Sequence, residues 1–110
     1  MKRDKKARLE AAGWRVGTTA EFLDLREEEQ ALIETKLALA EGVRRWRQRR
    51  HLTQAELAEQ LGSSQSRIAK LEAADASVSM DLMLRSLLRL GASKREIARL
   101  IQRGPSVGAA

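Results

Sequence analysis

Six side chains within a short stretch of this sequence carry the donors and acceptors that hydrogen-bond to base edges or hold phosphates: Gln54, Ser64, Gln65, Ser66, Arg67 and Lys70. Other chemistries find little footing. The absence of Cys removes thiolate zinc sites, disulfides and a Cys nucleophile. The lone His51 cannot build a His-rich metal site, although carboxylate sites remain open in principle. It follows a run of arginines and reads as a residue capping a helix C-terminus. No nucleophile–base pair, metal cluster or phosphate loop stands out, so an enzyme is not expected, and neither is a metal or a cofactor. Aromatic residues make up 3% and Tyr is absent, which counts against stacking platforms for single strands.

Two short helices must position these side chains. Thr53 with Glu56 forms a capping box for a helix over 54–61, and Gly62 ends it with a left-handed turn. Ser64 caps a second helix over about 65–73. Two helices joined by so short a turn have the spacing of a helix-turn-helix. Leu57, Leu61, Ile68 and Leu71 must then point inward, and Ala58 must be small because the second helix crosses it closely. The opposite side of that helix exposes Gln65, Ser66, Arg67, Ala69 and Lys70.

The flanking elements are helical as well. A long helix is expected from about Arg26 to Arg50, acidic in its first turn and basic at its end, as the helix dipole favours. Leu32, Leu39, Val43 and Trp46 form its expected core stripe, and Gly42 is an expected kink. Ser79 caps a helix over about 80–90, with Leu82, Met83, Leu87 and Leu90 as its apolar face. Ser93 with Glu96 forms a second capping box, for a helix over 94–102 that Gly104-Pro105 ends. Residues 1–25 read as a basic N-terminal arm and a short helix, capped by Thr18 or Thr19 and carrying Phe22, Leu23 and Leu25. Trp14 is either a packing anchor or a partner contact. The tail, 104–110, reads as disordered from Ser106 onward.

The 110 residues carry 21 Lys and Arg against 15 Asp and Glu, a formal net charge of +6. A basic balance suits a polyanionic partner. The densest block is Arg44, Arg45, Arg47, Arg49 and Arg50. A solvated helix face is the usual fate of such a run, but this one directly precedes the helix-turn-helix. No apolar run approaches the ~20 residues that span a bilayer, and no apolar stretch follows the basic N-terminus. A cytoplasmic location is expected.

The segment resembles the XRE family of bacterial and phage regulators, whose repressors are Cro/CI-like. The resemblance covers residues 43–90 and rests on Val43, Trp46, Leu52, Thr53-Gln54, Glu56-Leu57-Ala58, Leu61-Gly62, Ile68 and Leu71-Glu72. It implies an all-α fold, a compact lambda-repressor-like domain of four to five helices over 26–103, with an N-terminal helical extension. It carries Gln54 and Gln65 to the DNA side. It also pairs Arg47, on the first domain helix, with Glu72, which closes the recognition helix. A carboxylate at that helix end is opposed by the dipole and needs a cation, and an Arg can meet it with a bidentate fork. Three positions depart from the usual pattern: Ser63 where an apolar residue is common, His51 where Gly is frequent, and Ala73-Ala74 in place of a turn with Gly.

The function implied is a sequence-specific repressor that binds a palindromic operator in double-stranded DNA as a homodimer. Surplus apolar residues at Met80, Leu84, Leu88, Ile97, Leu100 and Ile101 are the expected dimer surface. The overall arrangement also looks like a HigA-type antitoxin, which neutralises a small HigB/RelE-like toxin protein and represses its own operon. Residues 1–24 are then the expected toxin contact.

Overall fold

The computed structural model describes residues 27–106. Within them lie five helices: α1 (Glu27–Arg49), α2 (Gln54–Leu61), α3 (Gln65–Glu72), α4 (Met80–Arg89) and α5 (Lys94–Arg103). The all-α fold expected from the sequence is the observed one, with no strand among the described residues. None of these helices is long and apolar enough to cross a membrane. The N-terminal arm, its short helix and Trp14 lie outside the described residues, as does the tail from 107 onward.

The central element is α1, against which α3, α4 and α5 all pack. Glu27, Glu28 and Glu29 fill its first turn and Arg47 and Arg49 its last, the charge order that the helix dipole favours. Its buried face runs through Ile33, Leu37, Ala40 and Val43. Leu32, expected in that stripe, is 49% exposed instead. The other aliphatic members of that stripe, Leu39 and Val43, are fully buried as expected, and at the start of the helix Ile33 takes the inward place in Leu32's stead. Lys36 is buried as well, and its Nζ donates to Val78 O at 2.5 Å. Trp46 is half-buried at the core edge rather than within it. Nor does Gly42 interrupt α1. A Cβ there would meet Leu100 Cδ1 at 2.5 Å, so this glycine lets α5 approach closely.

Helix starts and stops follow local chemistry. Thr53 and Ser93 form the two expected capping boxes, and Ser64 and Ser79 cap α3 and α4. Four helix ends close in one way. A residue one or two positions past the helix takes a positive φ, and the next amide reaches back five residues, as Leu52 N does to Arg47 O and Ser63 N to Ala58 O. Gly62 and Gly91 hold two of these positions at φ 65 and 98, whereas His51 and Ala74 hold the others at φ 56 each.

Val43, Leu57, Ile68, Leu71 and Leu87 are fully buried together at the meeting of α1, α2, α3 and α4. The last two helices absorb most of the apolar surplus expected at a dimer surface. Ile97 is a core residue at 7% exposure, and Met80, Leu84 and Leu100 pack against the core. Leu88 and Ile101 remain exposed. After Gly104, Pro105 is buried, and the Ser106 amide and hydroxyl donate to Glu41 Oε1 at 3.0 and 2.9 Å. Ser106 is therefore tied down, where the sequence suggested the loose tail began.

Candidate nucleic-acid interface

The six candidate residues all lie on the motif formed by α2, the turn and α3. Gln54 is the first residue of α2 and Gln65 the first of α3. Ile68 and Leu71 anchor α3 from below with no exposure, so its outer side is fixed as Gln65, Ser66, Arg67 and Lys70, all exposed. Ala69, expected beside them, is half-buried. Ser64 Oγ caps α3 by accepting the Arg67 amide at 3.2 Å and stands 3.3 Å from Ser66 Oγ. Arg67 and Lys70 are three residues apart and share one face of α3.

A hydrogen-bonded chain joins the core to this surface. Arg47 grips Glu72 with two parallel bonds, Nε to Oε2 at 2.5 Å and Nη2 to Oε1 at 3.0 Å. Its third nitrogen donates to Leu52 O at 2.7 Å. The two side chains are 12% and 6% exposed, so the pair expected from the sequence is present and shielded. Hydrogen bonding to Glu72 raises the Arg47 pKa still further, which fixes its charge. Glu72 Oε1 also accepts from Gln54 Nε2 at 3.0 Å, and Gln54 Oε1 accepts from Gln65 Nε2 at 2.7 Å. The order is chemically forced. A carboxylate only accepts, so Gln54 must turn its NH₂ to Glu72 and its oxygen to Gln65. Gln65 then presents its own oxygen and its second amide hydrogen outward.

Sequence reasoning placed Gln54 and Gln65 on the same side. It missed their contact with each other and the bond from Gln54 to Glu72. The signal was the appearance of Gln at the first position of both motif helices, eleven residues apart.

The arginine block is less of a polyanion surface than its density suggests. Arg47 faces Glu72, and Arg50 Nη1 donates to Leu90 O at 3.0 Å. Arg45 pairs with Glu41, and the Arg49 guanidinium lies 5.1 Å from the centre of the Trp46 ring. Arg44 is exposed. Within the turn, Ser63 Oγ is buried without a hydrogen-bond partner, at the position where the resembling pattern commonly carries an apolar residue.

Residues 43–97, half of the chain, match the family described as helix-turn-helix. Comparison with curated proteins gives no match, and comparison with solved structures gives none.

Proposed function

The chain belongs to the helix-turn-helix family, as a DNA-binding regulator of the XRE type, and from that premise we propose that it is a sequence-specific repressor that binds a two-fold operator as a homodimer. In this reading α3 enters the major groove with its N-terminal residues toward the bases. Gln65 faces an adenine. Its outward oxygen accepts from the adenine N6 amino group and its second amide hydrogen goes to N7, the bidentate pairing Gln makes best. Arg67 and Lys70 take a guanine or flanking phosphates, and Ser66 takes an adjacent contact. Gln54 and Ser64, at the N-termini of α2 and α3, lie where amide groups attract backbone phosphate.

The observation that carries this reading is the chain Arg47–Glu72–Gln54–Gln65. It holds the Gln65 amide in one orientation before any base arrives, so less rotamer freedom is lost on binding.

Selection of bound duplexes from a random pool tests it. Wild type should return two related half-sites about 34–36 Å apart, centre to centre. Gln65→Ala should lose the adenine preference at one position of each half-site, at a cost of about 1–3 kcal/mol. A uniform loss over all sequences would assign Gln65 to the phosphate backbone, and recovery of no preferred sequence would defeat the proposal.

A further inference from the structure

A second charged surface lies away from α3. A cleft of about 250 Å³ opens between α1 and α5. Its floor is Trp46 and Leu100, and its walls carry Arg45 and Arg49 on α1 and Arg99 and Arg103 on α5. Each wall is a like-charge pair one helical turn apart, an arrangement that weakens the helix bearing it. Glu41 partners Arg45 at 3.0 Å. Glu96, the acid of the cleft, closes the α5 capping box by accepting from the Ser93 amide at 2.8 Å, and that bond holds its carboxyl below the usual carboxylate range. Arg49, which lies over the Trp46 ring, and Arg99 also act on Glu96, so the cleft sets four guanidinium groups against one carboxylate and stays net positive.

The cleft does not face the recognition helix. At about 100° per residue, positions 45 and 49 of α1 project roughly 160° away from position 47. Arg47 points to α3, where it holds Glu72. The cleft thus opens on the far side of α1, out of reach of a duplex seated on α3. It is also open and mostly polar, unlike the enclosed apolar cavities that hold small organic ligands.

We propose that this cleft is a docking site for an acidic segment of a partner protein, whose carboxylates meet Arg49, Arg99 and Arg103 and whose apolar side chain covers Trp46 and Leu100. Paired guanidinium groups above an apolar floor recognise acidic and apolar residues in alternation, because each fork takes a carboxylate and the floor excludes water from the contact. The site is separate from the DNA-reading surface, so a partner can be held while DNA is bound.

The test uses the full chain carrying Trp14→Phe, which leaves Trp46 as its sole tryptophan. The probe is a synthetic peptide of Glu-Glu-Leu-Leu repeats, and its Lys-Lys-Leu-Leu counterpart is the control. The acidic peptide should change Trp46 fluorescence saturably and the basic one should not. Arg99→Glu with Arg103→Glu should weaken the peptide by about tenfold or more. An equal charge change on α4, Arg85→Glu with Arg89→Glu, should leave it within about twofold. Affinity for a random-sequence duplex should fall no further in the α5 variant than in the α4 variant. A selective loss of duplex binding in the α5 variant would make the cleft a phosphate-tracking surface and overturn the proposal. So would displacement of the peptide by citrate at equal concentration, which would mark a site for small anions. Equal weakening by both variants would show a general charge effect and overturn it too. Circular dichroism melts of each variant confirm that the helices remain.

Discussion

At the residue scale, a shielded ion pair and one buried lysine give sharp expectations. Arg47 and Glu72 are shielded and doubly bonded, so loss of either leaves a charge without its partner. Arg47→Met or Glu72→Leu should each cost about 3–5 kcal/mol, and the double variant much less. Chemical denaturation of the four members of that cycle measures the coupling, and additive effects below 1 kcal/mol would show that the pair contributes little. DNA affinity should drop in both single variants, because Glu72 also holds Gln54 and through it Gln65.

Lys36 acts through burial, which disfavours its charged form and lowers its pKa, partly countered by Asp75. A cation with a depressed pKa costs stability at neutral pH, where it is charged in both states. That cost falls as pH rises through the folded-state pKa toward the unfolded value of 10.5. The stability gap between wild type and Lys36→Met should therefore change in favour of wild type between neutral and alkaline pH. Urea midpoints measured across that range follow it, and a constant gap would show that Lys36 does not titrate differently in the two states.

At the element scale, the helix ends separate composition from context. His51 and Ala74 sit at φ 56 in turns of the kind that Gly62 and Gly91 close elsewhere in the chain. A left-handed residue other than glycine costs about 1–2 kcal/mol. Glycine removes that strain but adds chain entropy to the unfolded state, at about 0.5–1 kcal/mol. His51 is exposed, so His51→Gly should raise stability by about 1 kcal/mol or slightly less. Ala74 is 1% exposed, and its methyl contributes about 0.8 kcal/mol by burial, so Ala74→Gly should come out close to neutral. Thermal melts of the two variants distinguish these outcomes, and equal shifts would refute the burial argument. The turn between α2 and α3 offers a third case. Ser63→Ala removes an unpartnered buried hydroxyl and should stabilise by about 1 kcal/mol.

At the scale of the whole molecule, the proposed homodimer rests on few exposed apolar side chains. Among the described residues the large ones are Leu32, Leu88 and Ile101. Side chains this few fall well short of the ~800 Å² per partner of a standard interface. On the proposed reading, duplex DNA would bring the two chains together. Sedimentation should find two chains on a duplex with both half-sites and one on a duplex with a single half-site. If the pair neutralises about six phosphates, the logarithm of affinity should fall with that of salt at a slope near −5. A slope near zero would contradict an interface built on Arg67, Lys70 and the helix N-termini.

The five helices, their caps and the inward set Leu57, Ile68 and Leu71 were legible in the sequence, because capping boxes and glycine turns act within four residues of one another. So was the Arg47–Glu72 pair, which the family resemblance implied and which a carboxylate at a helix C-terminus requires, since the dipole there calls for a cation. The rest was decided by packing between elements distant in sequence. Whether Leu32 or Ile33 turned inward near the start of α1 depended on the helices packed against it, because each lies seven residues from a buried position, Leu39 or Ala40. The fate of the arginine block depended on Glu72, Leu90 and Trp46, two of them more than twenty residues away. The apolar residues of α4 and α5 read as surplus because they exceed what a small four-helix core would absorb, and the close approach of α5 to Gly42 is not written in the sequence. Once α5 settles against that glycine, Ile97 and Leu100 belong to the core side of the helix, and a surface expected to be apolar becomes a cleft walled by arginines.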